Sequence, residues 1–436
     1  MILPMATLSR SAGRLTSAAA TWLRRAGATR AADSPTRLQF AGAITVLCAL
    51  ALSIGGWYAV DRRATAIDDA AGAAAQLIRV QDVRVLVVQA DSLASVAYLV
   101  GGQEDPEQRQ QYDVLIGAAA SGLTAAAAAA TRDDAAALEE GTSLLARYVG
   151  LVEQARANNR QGFPVGAAYQ RQARSVAELL VDQLRTVESN SRGRVNDSLR
   201  RGHRASTLFV LTTLVLSLVL LIGSLWLARR WRRLLNVPLV IAAVIVVLVI
   251  TVGFGVNAAA IARTDDTVSG PLTAADLLAQ ARAAGFDARS NEALTLIARG
   301  NGSAYEQEWQ LSRSVIDQSL GRACQTFVVG CEAEAAFAAF RDQHDEVRAL
   351  DEAGNWNAAV QASLGTAAAG PNSRAAFDEF ATVSERSLQV ETDRTVLAFD
   401  RAGEQLGALA WMIVAAGLAA AVLAFLGYGR RLREYR

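Results

Sequence analysis

The side chains that most often carry chemistry are scarce. Two histidines, His203 and His344, and three cysteines, Cys48, Cys324 and Cys331, occur in 436 residues. Such a set cannot assemble a three-His or Cys/His zinc cluster within one chain. The GxxxxGK[ST] loop, a GxGxxG turn opening a helix after a strand, and GxSxG are all absent, so the common phosphate-cradling and acyl-transfer signatures are missing. The expectation is a protein that is not an enzyme, with no catalytic residue, metal or cofactor. Cys324 and Cys331 stand seven positions apart around Gln-Thr-Phe-Val-Val-Gly. In an oxidising exterior this spacing predicts a disulfide closing a short loop between two helices, with two buried thiols as the alternative. Asp342, His344, Asp345 and Glu346 crowd one helical turn and could bind a cation or sense pH. A charge run on a helix is ordinarily a solvated face, and the sequence favours that reading here. Asp133-Asp134, Glu139-Glu140 and Asp265-Asp266 read the same way, as helix-start or surface charges. Asn301-Gly302-Ser303 fits a glycosylation sequon but is first of all a turn.

The elements that must hold these residues follow from composition. With 52% apolar and 19% charged residues, the chain is too greasy for a soluble globular protein. Every one of its 43 basic residues is Arg, as expected of a high-GC coding bias. Four charge-free stretches predict transmembrane helices at 38–60, 205–228, 237–262 and 405–429, each long enough to cross about 30 Å of hydrocarbon. The first is too long, and too far from the start, for a cleaved signal peptide. None holds Asp, Glu, Arg or His, so an ion pathway is poorly supported. Small residues dominate the fourth (Ala410, Ala416, Gly417, Ala420, Ala421) and would let helix backbones approach closely.

Orientation comes from arginine. Residues 1–37 carry six Arg against one Asp, the 229–236 linker carries Arg229, Arg230, Arg232 and Arg233 with no acid, and the 430–436 tail has four Arg against Glu434. The segments 61–204 and 263–404 hold 17 Arg against 18 acids and 12 Arg against 22 acids. Positive-inside ordering then predicts a multi-pass plasma (inner) membrane protein with both termini and the linker cytoplasmic, and both large segments outside. The basic head, with Leu8, Ala12, Leu15, Ala19 and Trp22 at helical spacing, suits an amphipathic helix on an anionic leaflet, a docking site for a cytosolic partner, or disorder.

Both outer segments are rich in helix formers and lack the alternating Val/Thr/Tyr runs of strands. Val80, Val83, Val87, Ala90, Ala94 and Ala97 recur at coiled-coil spacing, and Pro106, Pro164, Pro271 and Pro371 mark helix starts after breaks. The fold class predicted is all-α: four transmembrane helices with two extracytoplasmic four-helix bundles. The match of Arg156-Ala157-x4-Gly162 to Arg348-Ala349-x4-Gly354 suggests tandem duplication of a span-bundle-span unit.

A chain invested so heavily outside, with cytoplasmic pieces of at most about forty residues, is built to pass a conformational state to a separate effector. In layout it resembles the actinobacterial GlnX-type membrane proteins: a Lys-free, Arg-rich chain with a basic head, two span-bundle-span units, an Arg-Arg-Trp-Arg-Arg linker and a short Arg-rich tail. Each bundle is also similar in layout to the four-helix sensor domain of chemoreceptors. The resemblance implies a non-enzymatic relay of extracellular glutamate or aspartate availability, from an extracytoplasmic amino-acid-binding lipoprotein of the GlnH type to a cytosolic serine/threonine kinase of the protein kinase G type. It carries over no individual residue. Arg229, Arg230, Arg232 and Arg233 are the residues expected to contact the inner partner, beside their role as a topological anchor. Membrane lipids and a second copy of the chain complete the expected partners, and nucleic acid is not among them. The alternatives are a receptor binding a small ligand directly in its outer bundles, and an envelope scaffold.

Overall fold

The computed structural model describes residues 34–100, 105–161, 165–231, 237–365 and 371–433. Helix follows helix with short turns between, and no strand occurs among the described residues. The helices are α1 (Ser34–Val100), α2 (Pro106–Ala128), α3 (Arg132–Arg160), α4 (Val165–Trp231), α5 (Val237–Thr267), α6 (Thr273–Ile297), α7 (Ser303–Phe327), α8 (Cys331–Glu352), α9 (Trp356–Leu364) and α10 (Ser373–Arg433). The chain divides into two compact units, one from the described parts of 1–61, 205–256 and 407–436, the other from 62–204 and 257–406.

The first unit is apolar. Among the described residues, three helices are long and apolar enough to cross a membrane, and they hold the first, third and fourth expected spans. The second, 205–228, falls on α4, where many side chains lie outside the described residues. Small residues set the crossings. A Cβ on Gly417 of α10 would overlap the Ser53 side chain of α1, and Ala49, Ala242, Ala420 and Ala421 form a buried cluster. Large apolar side chains such as Leu47, Ile54, Val247 and Phe425 point away from this contact and stay exposed, the pattern of helices solvated by lipid.

In the second unit the expected seam packs as its spacing demands, and Val80, Val83, Val87, Ala90, Ala94 and Ala97 are all buried. Pro106 opens α2 behind Asp105, whose carboxylate accepts from the Glu107 amide at 3.0 Å. One continuous hydrophobic core runs through both outer segments, joining Val87 and Tyr148 to Phe286, Trp309 and Phe380. Gly285 of α6 lies so close to the Phe380 ring of α10 that a Cβ there would overlap it.

Three expectations need correction. Pro271 does not start a helix after a break: a π turn, Val268–Leu272, links α5 to α6, and Gly270 (φ −98°, ψ −105°) absorbs the kink. The second outer segment does not repeat a single fourth helix. Trp356–Leu364 form α9 by themselves, and α10 begins only at Ser373, behind an Asn372 side chain that accepts from the Ala375 amide at 2.9 Å. Asp134 is no surface charge. It stands in the first turn of α3, as a helix-start charge does, but it is fully buried against α4, held by Arg194 at 2.6 Å and by the Asn190 amide at 2.9 Å.

Candidate functional site

Two polar constructions interrupt the core of the second unit. The first is a charged seam where α1 and α4 meet α6. Arg174 Nη1 bridges Asp91 at 2.7 Å and Asp287 at 3.1 Å. Ser290 donates to the same Asp91 at 3.1 Å, lies 3.0 Å from Ser95, and Ser95 accepts from Gln170 at 3.2 Å. Burial by itself would lower the Arg174 pKa, but Asp287 and Asp91 outweigh it and hold the guanidinium charged. Further along, Asp276 of α6 takes Gln81 of α1 and Arg192 of α4. Between these points Arg84 of α1 sets its Nε 2.7 Å from Glu188 of α4, with side chains only 6% and 3% exposed. Beside that pair a groove of about 500 Å3 opens between the α1/α4 wall and the α6/α7 wall.

The second construction lies among α6, α7, α8, α9 and α10. Glu292 is buried and satisfied from several directions. Arg289 pairs with it, Ser363 and Ser373 donate to Oε1 at 2.7 and 2.8 Å, and His344 Nδ1 lies 2.9 Å from Oε2. His344 Nε2 lies 3.2 Å from Glu306, which also takes Arg348 at 3.2 Å. The Trp309 indole stacks on the imidazole, centroids 3.7 Å apart. Burial would raise the Glu292 pKa, yet Arg289 and then His344 hold it down to about 2. Burial would likewise lower that of His344, but its bonds to Glu292 and Glu306 push it above the ordinary histidine value. A cation and an anion are thus locked together inside the fold.

This corrects the reading of the acidic turn. Asp342, Asp345 and Glu346 are exposed, as a solvated face requires, but His344 is fully buried. The signal was in the spacing: Phe337, Phe340, His344 and Val347 make one apolar stripe, and all four are buried. Sequence reasoning also passed over Glu292, Arg289, Arg84 and Glu188; Arg289 and Glu292 pair three positions apart on α6, but their other partners, His344, Ser363 and Ser373, and the Arg84–Glu188 pair itself, join positions distant in the chain. Cys324 and Cys331 are joined as a disulfide with Cα atoms 4.8 Å apart, across a tight turn in which Val328 and Gly330 take left-handed backbone (φ 57° and 74°). Arg229 and Arg230 lie in the last turn of α4, their side chains outside the described residues, and Arg232, Arg233 and residues 1–33 of the basic head 1–37 lie outside them altogether. Among the described residues, no three or more His, Cys, Asp or Glu side chains gather as metal ligands would.

Membrane-length apolar helices joined in one chain to a large helical unit are the build of a membrane protein. Residues 66–200, about a third of the chain, match the model of an actinobacterial sensor domain, which fits a sensor-type actinobacterial protein. The match runs from α1 through α2 and α3 into α4, and so includes Arg84, Asp91, Arg174 and Glu188. No curated protein and no solved structure gives a match.

Proposed function

We propose that this protein is a non-enzymatic transmembrane signal transducer with four spans and two extracytoplasmic helical bundles, derived from a duplicated span-bundle-span unit. In this reading it relays the availability of extracellular amino acids, glutamate and aspartate, from a binding lipoprotein to a cytosolic serine/threonine kinase. The observation that carries the sensing role is the sensor-domain match over residues 66–200, which falls on α1 to α4. α1 and α4 are single helices that each contain part of the first outer segment and an expected span. A signal that shifts an outer segment of such a helix reaches the inner side as a slide or rotation on the order of 1–2 Å. The ion pairs of the seam couple the two outer segments, so that neither moves alone. The partners rest on the resemblance in layout to GlnX-type proteins.

The test is purification of the full chain from crosslinked membranes, followed by identification of what comes with it. An amino-acid-binding lipoprotein and a serine/threonine kinase are expected. Replacing Arg230 and Arg233 together with Gln, while Arg229 and Arg232 keep the orientation, should weaken kinase recovery without changing which segments label from outside. Recovery of neither partner from crosslinked membranes would overturn the relay.

A further inference from the structure

Where α5 and α10 leave their apolar runs, a groove of about 560 Å3 opens between them, within the size range of small-molecule sites. One wall is Arg263 and Asp266 of α5 with Pro271 of the π turn, and the other is Arg401, Glu404 and Gln405 of α10. The two helices fix its depth. The charge-free run of α5 ends at Ala262, one residue before Arg263, and that of α10 begins at Gln405, one residue after Glu404. In a bilayer the groove therefore lies in the headgroup layer, with hydrocarbon starting at its edge. Its charges are left open. Arg263 and Asp266 stand three positions apart on one helix, and Arg401 and Glu404 three apart on the other, a spacing at which side chains can meet. Elsewhere the chain closes such pairs: Arg348 meets Asp351 at 2.6 Å and Arg185 meets Asp182 at 3.0 Å. In the groove neither pair closes. Arg263 Nη1 donates instead to Gln405 Oε1 at 3.3 Å, tying the walls together, and Asp266, Arg401 and Glu404 make no hydrogen bond or ion pair among the described residues. All four charged side chains are exposed, so two cations and two anions line one open space with no net charge. A simple anion or cation meets as much repulsion there as attraction, whereas a ligand carrying both signs is complementary.

We infer that this groove binds the headgroup of a zwitterionic phospholipid with a primary ammonium, a phosphatidylethanolamine, its phosphate received by Arg263 and Arg401 and its ammonium by Asp266 and Glu404. A guanidinium fork suits phosphate oxygens, and a primary ammonium has three N–H donors to divide between two carboxylates. A quaternary ammonium lacks those donors, and a glycerol headgroup lacks the cation. The occupant is a membrane lipid rather than a free solute because the apolar runs begin at the groove, where acyl chains continue. A lipid held on both walls braces α5 against α10, the helices that open and close the second outer segment. The inference goes beyond the relay reading and stands without it, since it needs neither a lipoprotein nor a kinase, only apolar runs that lie in the membrane.

The experiment is native mass spectrometry of the purified full chain, equilibrated in detergent with equal amounts of phosphatidylethanolamine, phosphatidylcholine and phosphatidylglycerol of identical acyl chains. Wild type is expected to retain phosphatidylethanolamine roughly tenfold better than either of the others. Asp266→Asn together with Glu404→Gln should abolish the preference over phosphatidylcholine, and Arg401→Gln should weaken retention of both. Ala398→Trp fills the groove while keeping all four charges, and should release the lipid; it decides the matter should circular dichroism show the charge variants unfolded. Equal retention of the three lipids by wild type, or a preference undiminished in the folded variants, would overturn the assignment.

Discussion

Replacing Glu292 with Gln isolates the buried pair at the heart of the second construction. The substitution keeps size and hydrogen-bonding capacity for Ser363 and Ser373 but removes the charge that faces Arg289 and His344. Glu292 is held at about 2 against an ordinary 4.5, an interval worth roughly 3 kcal/mol in favour of the folded state. Removing one partner from a buried pair costs about 3–5 kcal/mol by direct comparison, so the two routes agree near the lower figure. For a folded unit of this size, about 2 °C per kcal/mol gives a fall in melting temperature of roughly 6 °C near pH 6. The pH dependence is a second signature. A depressed carboxyl contributes stability that is complete above its unfolded value of 4.5 and lost as pH falls toward 2. His344, raised above 6.5, contributes stability that is complete below 6.5 and lost as pH rises through its higher folded value. Wild type should therefore melt highest between about pH 4.5 and 6.5, and Glu292→Gln should flatten both flanks. Thermal unfolding of the full chain in detergent, followed by circular dichroism across pH, measures this. A variant within about 1 °C of wild type at pH 6, or with an unaltered pH profile, would refute the reasoning.

Further outcomes are expected elsewhere. Peptide mapping of unreduced protein should recover Cys324 and Cys331 as one linked fragment, and changing both to Ser should cost about 2 kcal/mol for so short a loop. In a Cys48→Ser background, single cysteines at the exposed Gln110 and Glu379 should react with an impermeant thiol reagent in intact cells, whereas one at Ser11 should not. Reaction at Ser11 would reverse the orientation. Gly417→Leu should force α10 away from Ser53 of α1 and destabilise the apolar unit by about 1–3 kcal/mol, read as a lower melting temperature in detergent, while Gly407→Leu, which faces open space, should do little.

Local patterns were sufficient wherever neighbours in sequence decide the outcome. The apolar runs, the Val80 to Ala97 seam, the Asp105-Pro106 helix start and the small-residue face of α10 each depend on one helix and its solvent, and periodicity reports that directly. The stripe Phe337, Phe340, His344, Val347 also spelled out a buried histidine, but the acids around it gave the turn the look of a solvated face. What tertiary structure alone decided is which charges meet. Glu292 finds His344 across 52 positions, Arg174 finds Asp91 across 83, and Asp91 finds Ser290 across 199. A buried carboxylate and an exposed one are the same letter in a helical sequence. The difference lies in whether a partner on a distant helix offsets its desolvation, and only the packed structure contains that partner.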